Sequence, residues 1–248
     1  MSGLFRVGGD EYDNFMGRYS RVLATLFADF AGVTSGMRVL DVGAGTGALT
    51  AELVARGASV AAADPSPEFG AVLRERFPNL EVEEAPAESL PYGAGVFELA
   101  LAQLVVAFVS DGPAAIAEMA RVARRVAVCM WGVEEVDMFA AIDRAAETVG
   151  ASRATEPRRY RTAQEIHDLL APHGAVDTAE LDVTAGYGDF EEFWEAMGHG
   201  VGPAGQWLAS LDPEQREQAH AELFRDFGSP QGPFELNARA FAAAVTPS

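Results

Sequence analysis

The sequence predicts an α/β fold: a doubly wound, mostly parallel sheet covered by helices. Three observations predict it. A short apolar run (Val39, Leu40, Val42) feeds three glycines at alternate positions (Gly43, Gly45, Gly47), and a helix-like stretch follows from Ala48 to Arg56. A second apolar run, Ala58 to Ala63, ends in Asp64, and strand-like and helical patterns keep alternating beyond it. The chain has 248 residues, 49% of them hydrophobic, enough for a substantial core in one body.

The glycine turn is suited to a nucleotide-like ligand. Gly43 to Ala48 satisfies G-x-G-x-x-G/A, in which missing side chains let a ligand approach the main chain and a helix N-terminus. Asp41, two residues earlier, narrows the choice, because a carboxylate there repels the pyrophosphate of a dinucleotide. S-adenosylmethionine (SAM) instead carries an ammonium and a sulfonium, for which Asp41 is an electrostatic partner. Asp64 lies about 20 residues on, where an acidic group accepts hydrogen bonds from ribose hydroxyls in this kind of unit.

On these residues the sequence resembles the class I SAM-dependent methyltransferases. The matching segments are V-L-D-V-G-A-G-T-G (Val39 to Gly47), A-D-P-S (Ala63 to Ser66), A-P-A-E-S-L-P-Y (Ala85 to Tyr92) and A-Q-L-V-V-A-F-V-S-D (Ala102 to Asp111), in the family's order and spacing. It is most similar to the small-molecule branch that includes quinone-biosynthesis methyltransferases, and to bacterial members that open with Y-D-x-F-M-G-R-Y/W-S, here Tyr12 to Ser20. The resemblance implies a seven-stranded Rossmann-like sheet, SAM as cofactor with S-adenosylhomocysteine as product, and methyl transfer to an O, N or C nucleophile of a small molecule. It implies a cofactor site at Asp41, Gly43, Ala44, Gly45, Thr46, Asp64, Pro65 and Ser66.

In chain order, Tyr12 to Phe30 places apolar residues at helical intervals. Two readings compete for its first part. Either the aromatics dock a helix on the core, or Tyr12, Phe15, Met16, Arg18 and Tyr19 form a lid over the cofactor. Glu68 to Phe77 reads as the next helix, and Leu80 to Ala85 as a third strand. The following loop lies beside adenine in the family, which makes Ala87 and Glu88 candidates, Glu88 as acceptor from an exocyclic amine. Phe97 to Phe108 is the most strand-like run; its end should face the ligand, making Gln103 a candidate contact to the methionine part of SAM. A helix from Ala114 to Arg124 and a strand from Val126 to Trp131 follow, without the family's usual P-G-G turn. Ala107 stands where a histidine is frequent.

Helical patterns return at Val136 to Val149 and at Thr162 to Ala171, the latter opened by a capping box, Thr162 to Glu165. Val176 to Thr184 and Phe234 to Val245 read as the antiparallel pair that completes the family's sheet. Between them, Asp189 to Phe227 reads as a helical cap. The expected organisation is one methyltransferase domain over 1–248. It comprises an N-terminal lid or helix (1–30), a SAM-binding core (31–131), substrate-cap segments (132–161 and 185–232), and the remainder of the sheet (162–184 and 233–248).

Composition excludes several classes. A net charge of −19, from 37 acidic and 18 basic residues, disfavours nucleic acid as a partner. All the basic residues are arginine, so lysine-based covalent catalysis is excluded. The single cysteine, Cys129, sits in an apolar run and reads as a buried hydrophobe; no Cys/His cluster suggests a metal. The longest apolar run, Leu99 to Val109, is too short to span a bilayer and no basic-then-apolar leader is seen, so no membrane partner and a cytoplasmic location are expected. The oligomeric state is not legible.

Displacement at a sulfonium methyl relies on alignment, and a general base is optional. Of four histidines, His199 alone lies in a glycine-flanked segment of the cap and is the candidate base; His167, His173 and His220 read as surface residues. Trp131, Tyr160, Trp194 and Trp207 are candidates to line an apolar or aromatic acceptor site, against the plainer reading that they bury the cap. Arg158, Arg159 and Arg161 are either solvated or bind a substrate carboxylate. Two other functions remain open: a SAM-binding protein without methyl transfer, and an NAD-linked oxidoreductase supported only by the glycine pattern.

Overall fold

The computed structural model describes residues 9–151, 159–199 and 202–247; the side chains of residues 9–14 and 202 lie outside the description. Helix α1 (Gly9–Phe30) leads into β1 (Arg38–Val42), α2 (Ala48–Ala55), β2 (Ser59–Ala63), α3 (Pro67–Arg76) and β3 (Glu81–Glu83). Then come β4 (Leu99–Gln103), α4 (Gly112–Val122), β5 (Val126–Val136), α5 (Asp137–Thr148) and α6 (Ala163–Leu170). The chain closes with β6 (Val176–Tyr187), α7 (Phe190–Gly198), α8 (Gly202–Ser210), α9 (Pro213–Asp226) and β7 (Phe234–Val245), so three helices separate the last two strands.

The sheet has seven strands in the order β3-β2-β1-β4-β5-β7-β6. β1 pairs in parallel with β2 and with β4, so that Leu40 lies between Ala61 and Ala100. β2 with β3 and β4 with β5 are also parallel. The chain winds outward from β1 through β3, then crosses back to β4 on the other side of β1. The direction of winding therefore reverses between β1 and β4, and in open parallel sheets the crevice beyond the strand ends at such a reversal receives the ligand.

Two compact units divide the chain. The larger comprises Ser20–Gly132, Pro157–Leu181 and Arg239–Ser248, and the smaller Met1–Tyr19, Val133–Glu156 and Asp182–Ala238. In the larger unit strand alternation sorts the side chains. Leu40, Val42, Ala100, Val126 and Val128 join Ile116, Met119 and Val122 of α4 and Ile166 and Leu170 of α6 in one core. Ala62, Leu73 and Ala44 form a second cluster with Phe77 and Val82. Cys129 is fully buried, and burial pushes its thiol up, as a structural cysteine requires. The smaller unit is held by an aromatic cluster. Phe190 meets Phe224 edge-on at 5.2 Å, Phe193 meets Phe227 at 5.1 Å, and Tyr187 stacks on Phe234 at 5.4 Å.

Helix starts follow side-chain chemistry. Ser66 caps α3 through Phe69 N, Asp111 caps α4 through Ala114 N, and the capping box at Thr162 and Glu165 is formed as the sequence predicts. Several strand boundaries differ from expectation, β6 among them, which runs to Tyr187 rather than Thr184. The third strand is only Glu81–Glu83. The run Phe97 to Phe108 is a strand only over Leu99–Gln103, because Leu104 takes φ 63 and a left-handed residue cannot continue the pleat. β5 extends to Val136, past Trp131. The missing P-G-G turn is replaced by a single bridge, Phe97 to Ala123, with Arg125 anchored to Ala31 O at 2.8 Å.

Candidate functional site

The three glycines of the turn serve different ends. All take left-handed φ: 70 at Gly43, 56 at Gly45 and 94 at Gly47. A Cβ on Gly43 would lie 2.4 Å from Val105 Cγ2, and one on Gly47 would lie 2.9 Å from Phe77 Cε2, so packing inside the protein fixes both. A Cβ on Gly45 would meet nothing within 4 Å. Gly45 is therefore where the turn opens, and its bare backbone is accessible to a ligand.

The turn is rigidly held. Gly43 N and Ala44 N both donate to Ala63 O, at 2.7 and 3.2 Å, and Arg76 Nη1 donates to Thr46 O at 2.9 Å. Asp64 closes it: its Oδ2 accepts from Gly45 N and its Oδ1 from Ser66 N, each at 2.9 Å. Burial raises the Asp64 carboxyl above its usual range, opposed by these two amides. The sequence pattern suggests Asp64 for ribose; that the same carboxylate also organises the glycine turn becomes visible only in three dimensions.

Asp41 lies below the turn, 1% exposed, on the opposite face of β1 from Leu40 and Val42. Its Oδ2 accepts from Thr50 Oγ1 of α2 at 2.6 Å. Burial pushes its carboxyl up to about 7, aided by Asp64 and opposed by the Thr50 hydrogen bonds. Among the described residues neither Asp41 nor Asp64 has an ion-pair partner. The two carboxyls thus create a site that favours a cation and resists an added anion.

Thr46 is buried and Pro65 is exposed. Ala87 is buried, and Glu88 beside it accepts at Oε1 from Ser110 N (2.7 Å), Ser110 Oγ (2.7 Å) and Asp111 N (3.2 Å). Those donors outweigh partial burial and hold the Glu88 carboxyl below its usual range. Gln103 Nε2 donates to Ser20 O at 3.0 Å, which fixes the orientation of the amide. Gln103 Oε1 is then left as a buried acceptor with no hydrogen-bond partner among the described residues. Such a group costs about 1–3 kcal/mol unless a ligand or water satisfies it. Trp131 is buried, and Tyr160, half-buried with φ 59, lies against Gly112 at the start of α4.

Apart from Arg158, the remaining candidates belong to the smaller unit. Tyr12 has its side chain outside the description, and Arg158 lies outside the described residues. Phe15 is buried, its ring 6.2 Å from Phe193, and Met16 is half-buried. Arg18 bonds Gly186 O at 2.9 Å, pairs with Glu192, and lies 4.9 Å above the Tyr187 ring. Tyr19 is buried, and that burial raises its phenol. Trp194 stacks on Phe190, and Trp207 Nε1 donates to Ala151 O at 2.9 Å. His199 is exposed just beyond α7. His220, expected at the surface, is half-buried, edge-on to both Phe190 and Trp194 at 4.9 Å and 2.9 Å from Glu191. Among the described residues no helix is long and apolar enough to cross a membrane, and no group of His, Cys, Asp and Glu is arranged to hold a metal.

Comparisons with known proteins agree with this fold. Residues 40–130, spanning β1 to β5, match the methyltransferase domain family. An uncharacterized methyltransferase of Mycobacterium tuberculosis is 33% identical over 153 residues, covering 56% of this chain and 62% of the relative. The chain spans about 39 to 62% of the lengths of the curated relatives it matches. Among solved structures, a candidate type II methyltransferase of Anaeromyxobacter dehalogenans superposes with TM-score 0.67 at 21% identity, over 92% of this chain and 96% of that one. The 4+2 cyclase SpnF superposes with TM-score 0.57 at 20% identity, over 92% of this chain and 81% of that one. At such identities these structures share the fold alone.

Proposed function

We propose, from the match of its residues 40–130 to the methyltransferase domain family, that this chain is a class I SAM-dependent methyltransferase and transfers a methyl group from SAM to an O, N or C nucleophile of a small molecule. One set of observations carries the reading. Among the described residues Gly45 presents open backbone, Gln103 Oε1 is an unsatisfied acceptor, and the Asp41 and Asp64 carboxyls, the latter bonded to the Gly45 amide, have no ion-pair partner. A ligand with ribose hydroxyls and a cationic amino-acid end suits all of these groups, whereas a pyrophosphate would be set against two carboxyls. The residues present therefore fit SAM. Asp64 would take the ribose, the bare backbone of the turn Gly43 to Thr46 would face the ligand, Ala87 and Glu88 would take the adenine side, and Gln103 Oε1 the ammonium.

When bound, SAM supplies an electrophilic methyl on a sulfonium. Transfer of that methyl to an acceptor's lone pair would leave the carbon–sulfur electron pair on sulfur and release S-adenosylhomocysteine. The acceptor's proton passes to solvent or to a base. The chain's own contribution is to hold the reacting atoms in line and to exclude water, an orientation effect worth up to several kcal/mol.

His199, exposed after α7, remains the candidate for that proton, and half-buried Tyr160 and buried Trp131 are assigned to the acceptor side. Trp194 and Trp207 act, on this reading, through the packing of the smaller unit. The cofactor assignment of Tyr12, Phe15, Met16, Arg18 and Tyr19 rests on the resemblance of the Tyr12 to Ser20 segment.

Incubation of the protein with SAM and a panel of phenols, amines, carboxylic acids and activated methylenes, read by intact mass, should give a product one methyl heavier and an equal amount of S-adenosylhomocysteine. Tight SAM binding with no methylated product across such a panel would favour the reading of a SAM-binding protein without methyl transfer, a possibility the shared fold of a cyclase keeps open.

A further inference from the structure

The loop Leu104 to Ser110, between β4 and α4, has no regular hydrogen-bond ladder to define it. It begins with a strained residue, Leu104 at φ 63, a conformation that costs a non-glycine residue about 1–2 kcal/mol. Yet the neighbouring site depends on it. Gln103 immediately precedes it, and Val105 fills the space in which Gly43 has no side chain.

Two side chains from distant segments hold this loop from opposite chemical sides. Arg159, which precedes α6, donates from Nε to Ala107 O at 2.9 Å and from Nη2 to Val109 O. Its planar fork thus bridges two carbonyls of one loop, which a lysine's point charge cannot do in the same way. Glu88 gathers the other end, one carboxylate oxygen accepting from the Ser110 amide and hydroxyl and from the Asp111 amide. Carbonyls are taken by a cation and amides by an anion. Tyr160, next to Arg159, lies against Gly112, where the loop passes into α4.

We propose that Arg159 and Glu88 are positioning residues of the cofactor site, locking Leu104 to Ser110 so that Gln103 Oε1 meets the amino-acid end of the ligand. This rests on the reading of a SAM site given above. It also gives Glu88 a part in the site other than contact with adenine, and Arg159 a part other than binding a substrate carboxylate.

The test uses the full chain, with Arg159→Ala, Arg159→Lys and Glu88→Gln as variants and S-adenosylhomocysteine and adenosine as probes. In the ligand-free protein, hydrogen exchange across residues 104–111 should quicken in Arg159→Ala and, more mildly, in Glu88→Gln. Affinity for S-adenosylhomocysteine should fall about tenfold in Arg159→Ala, the size of one hydrogen bond to a charged group. Affinity for adenosine, which lacks the amino-acid end, should fall much less. Added methylguanidinium should partly restore Arg159→Ala, and Arg159→Lys should not match the parent. Unchanged exchange in the loop, a loosened loop with unchanged S-adenosylhomocysteine affinity, or equal losses for both ligands would overturn the proposal. If Arg159→Ala does not fold, Arg159→Lys carries the same comparison. If the unmodified protein binds neither ligand, the SAM reading falls and with it the positioning role, while loop exchange reports the clamp itself.

Discussion

Asp64→Ala lowers affinity for S-adenosylhomocysteine by about two orders of magnitude, roughly 3 kcal/mol, in a protein that remains folded. The loss has two sources. The ribose hydroxyls lose a charged acceptor, and the Gly45 and Ser66 amides, each 2.9 Å from a carboxylate oxygen, lose the partner that shapes the turn. Asp64→Asn should fall between parent and Ala, because an amide keeps only one oxygen to accept and turns a donor toward the other amide. Titration calorimetry on variants checked by thermal unfolding measures both. An affinity unchanged in folded Asp64→Ala would mean that the ribose lies elsewhere.

Asp41→Asn changes how stability depends on pH. Burial raises the Asp41 carboxyl from an ordinary 3.8 to about 7, so between these values the folded protein keeps a proton that the unfolded chain releases. The stability this contributes is complete below about pH 4 and is lost as pH rises towards 7, at about 1.4 kcal/mol per pH unit, or roughly 4 kcal/mol in all. Asparagine can still accept from Thr50 Oγ1 and does not titrate. Urea unfolding of the ligand-free protein should therefore show stability falling from pH 5 to 8 in the parent by more than in Asp41→Asn, with the variant the more stable at pH 8. Parallel pH profiles would show that Asp41 is ionised throughout.

Much of the site was legible because its signals are local. Gly43, Gly45 and Gly47 announce a left-handed turn by residue type, and Asp64 stands at a strand end that the apolar pattern locates. What was not legible depends on partners far along the chain. Leu104 to Val109 is an unbroken apolar run that reads as strand; its left-handed start at Leu104 carries no marker in residue type, and Val106, Ala107 and Val109 are buried as a loop. Arg159 lies in an arginine-rich stretch that looks solvated, whereas its carbonyl partners stand 50 and 52 residues away. Residue type alone also cannot tell an aromatic packed on its neighbours from one facing a ligand. Trp194 on Phe190 and Trp207 on the Ala151 carbonyl show how such side chains are engaged within the smaller unit. His220 took its place among those rings without any sequence signal, since a histidine in a polar helical pattern reads as exposed.

The central claim is that the turn between β1 and α2 receives a SAM-type ligand and not a dinucleotide. Titration of the protein with S-adenosylhomocysteine and, separately, with NADH tests it most directly. The account predicts a single S-adenosylhomocysteine site of micromolar or tighter affinity, weakened by Asp64→Ala, and no heat from NADH. Saturable NADH binding without S-adenosylhomocysteine binding, or binding of neither ligand, would contradict it.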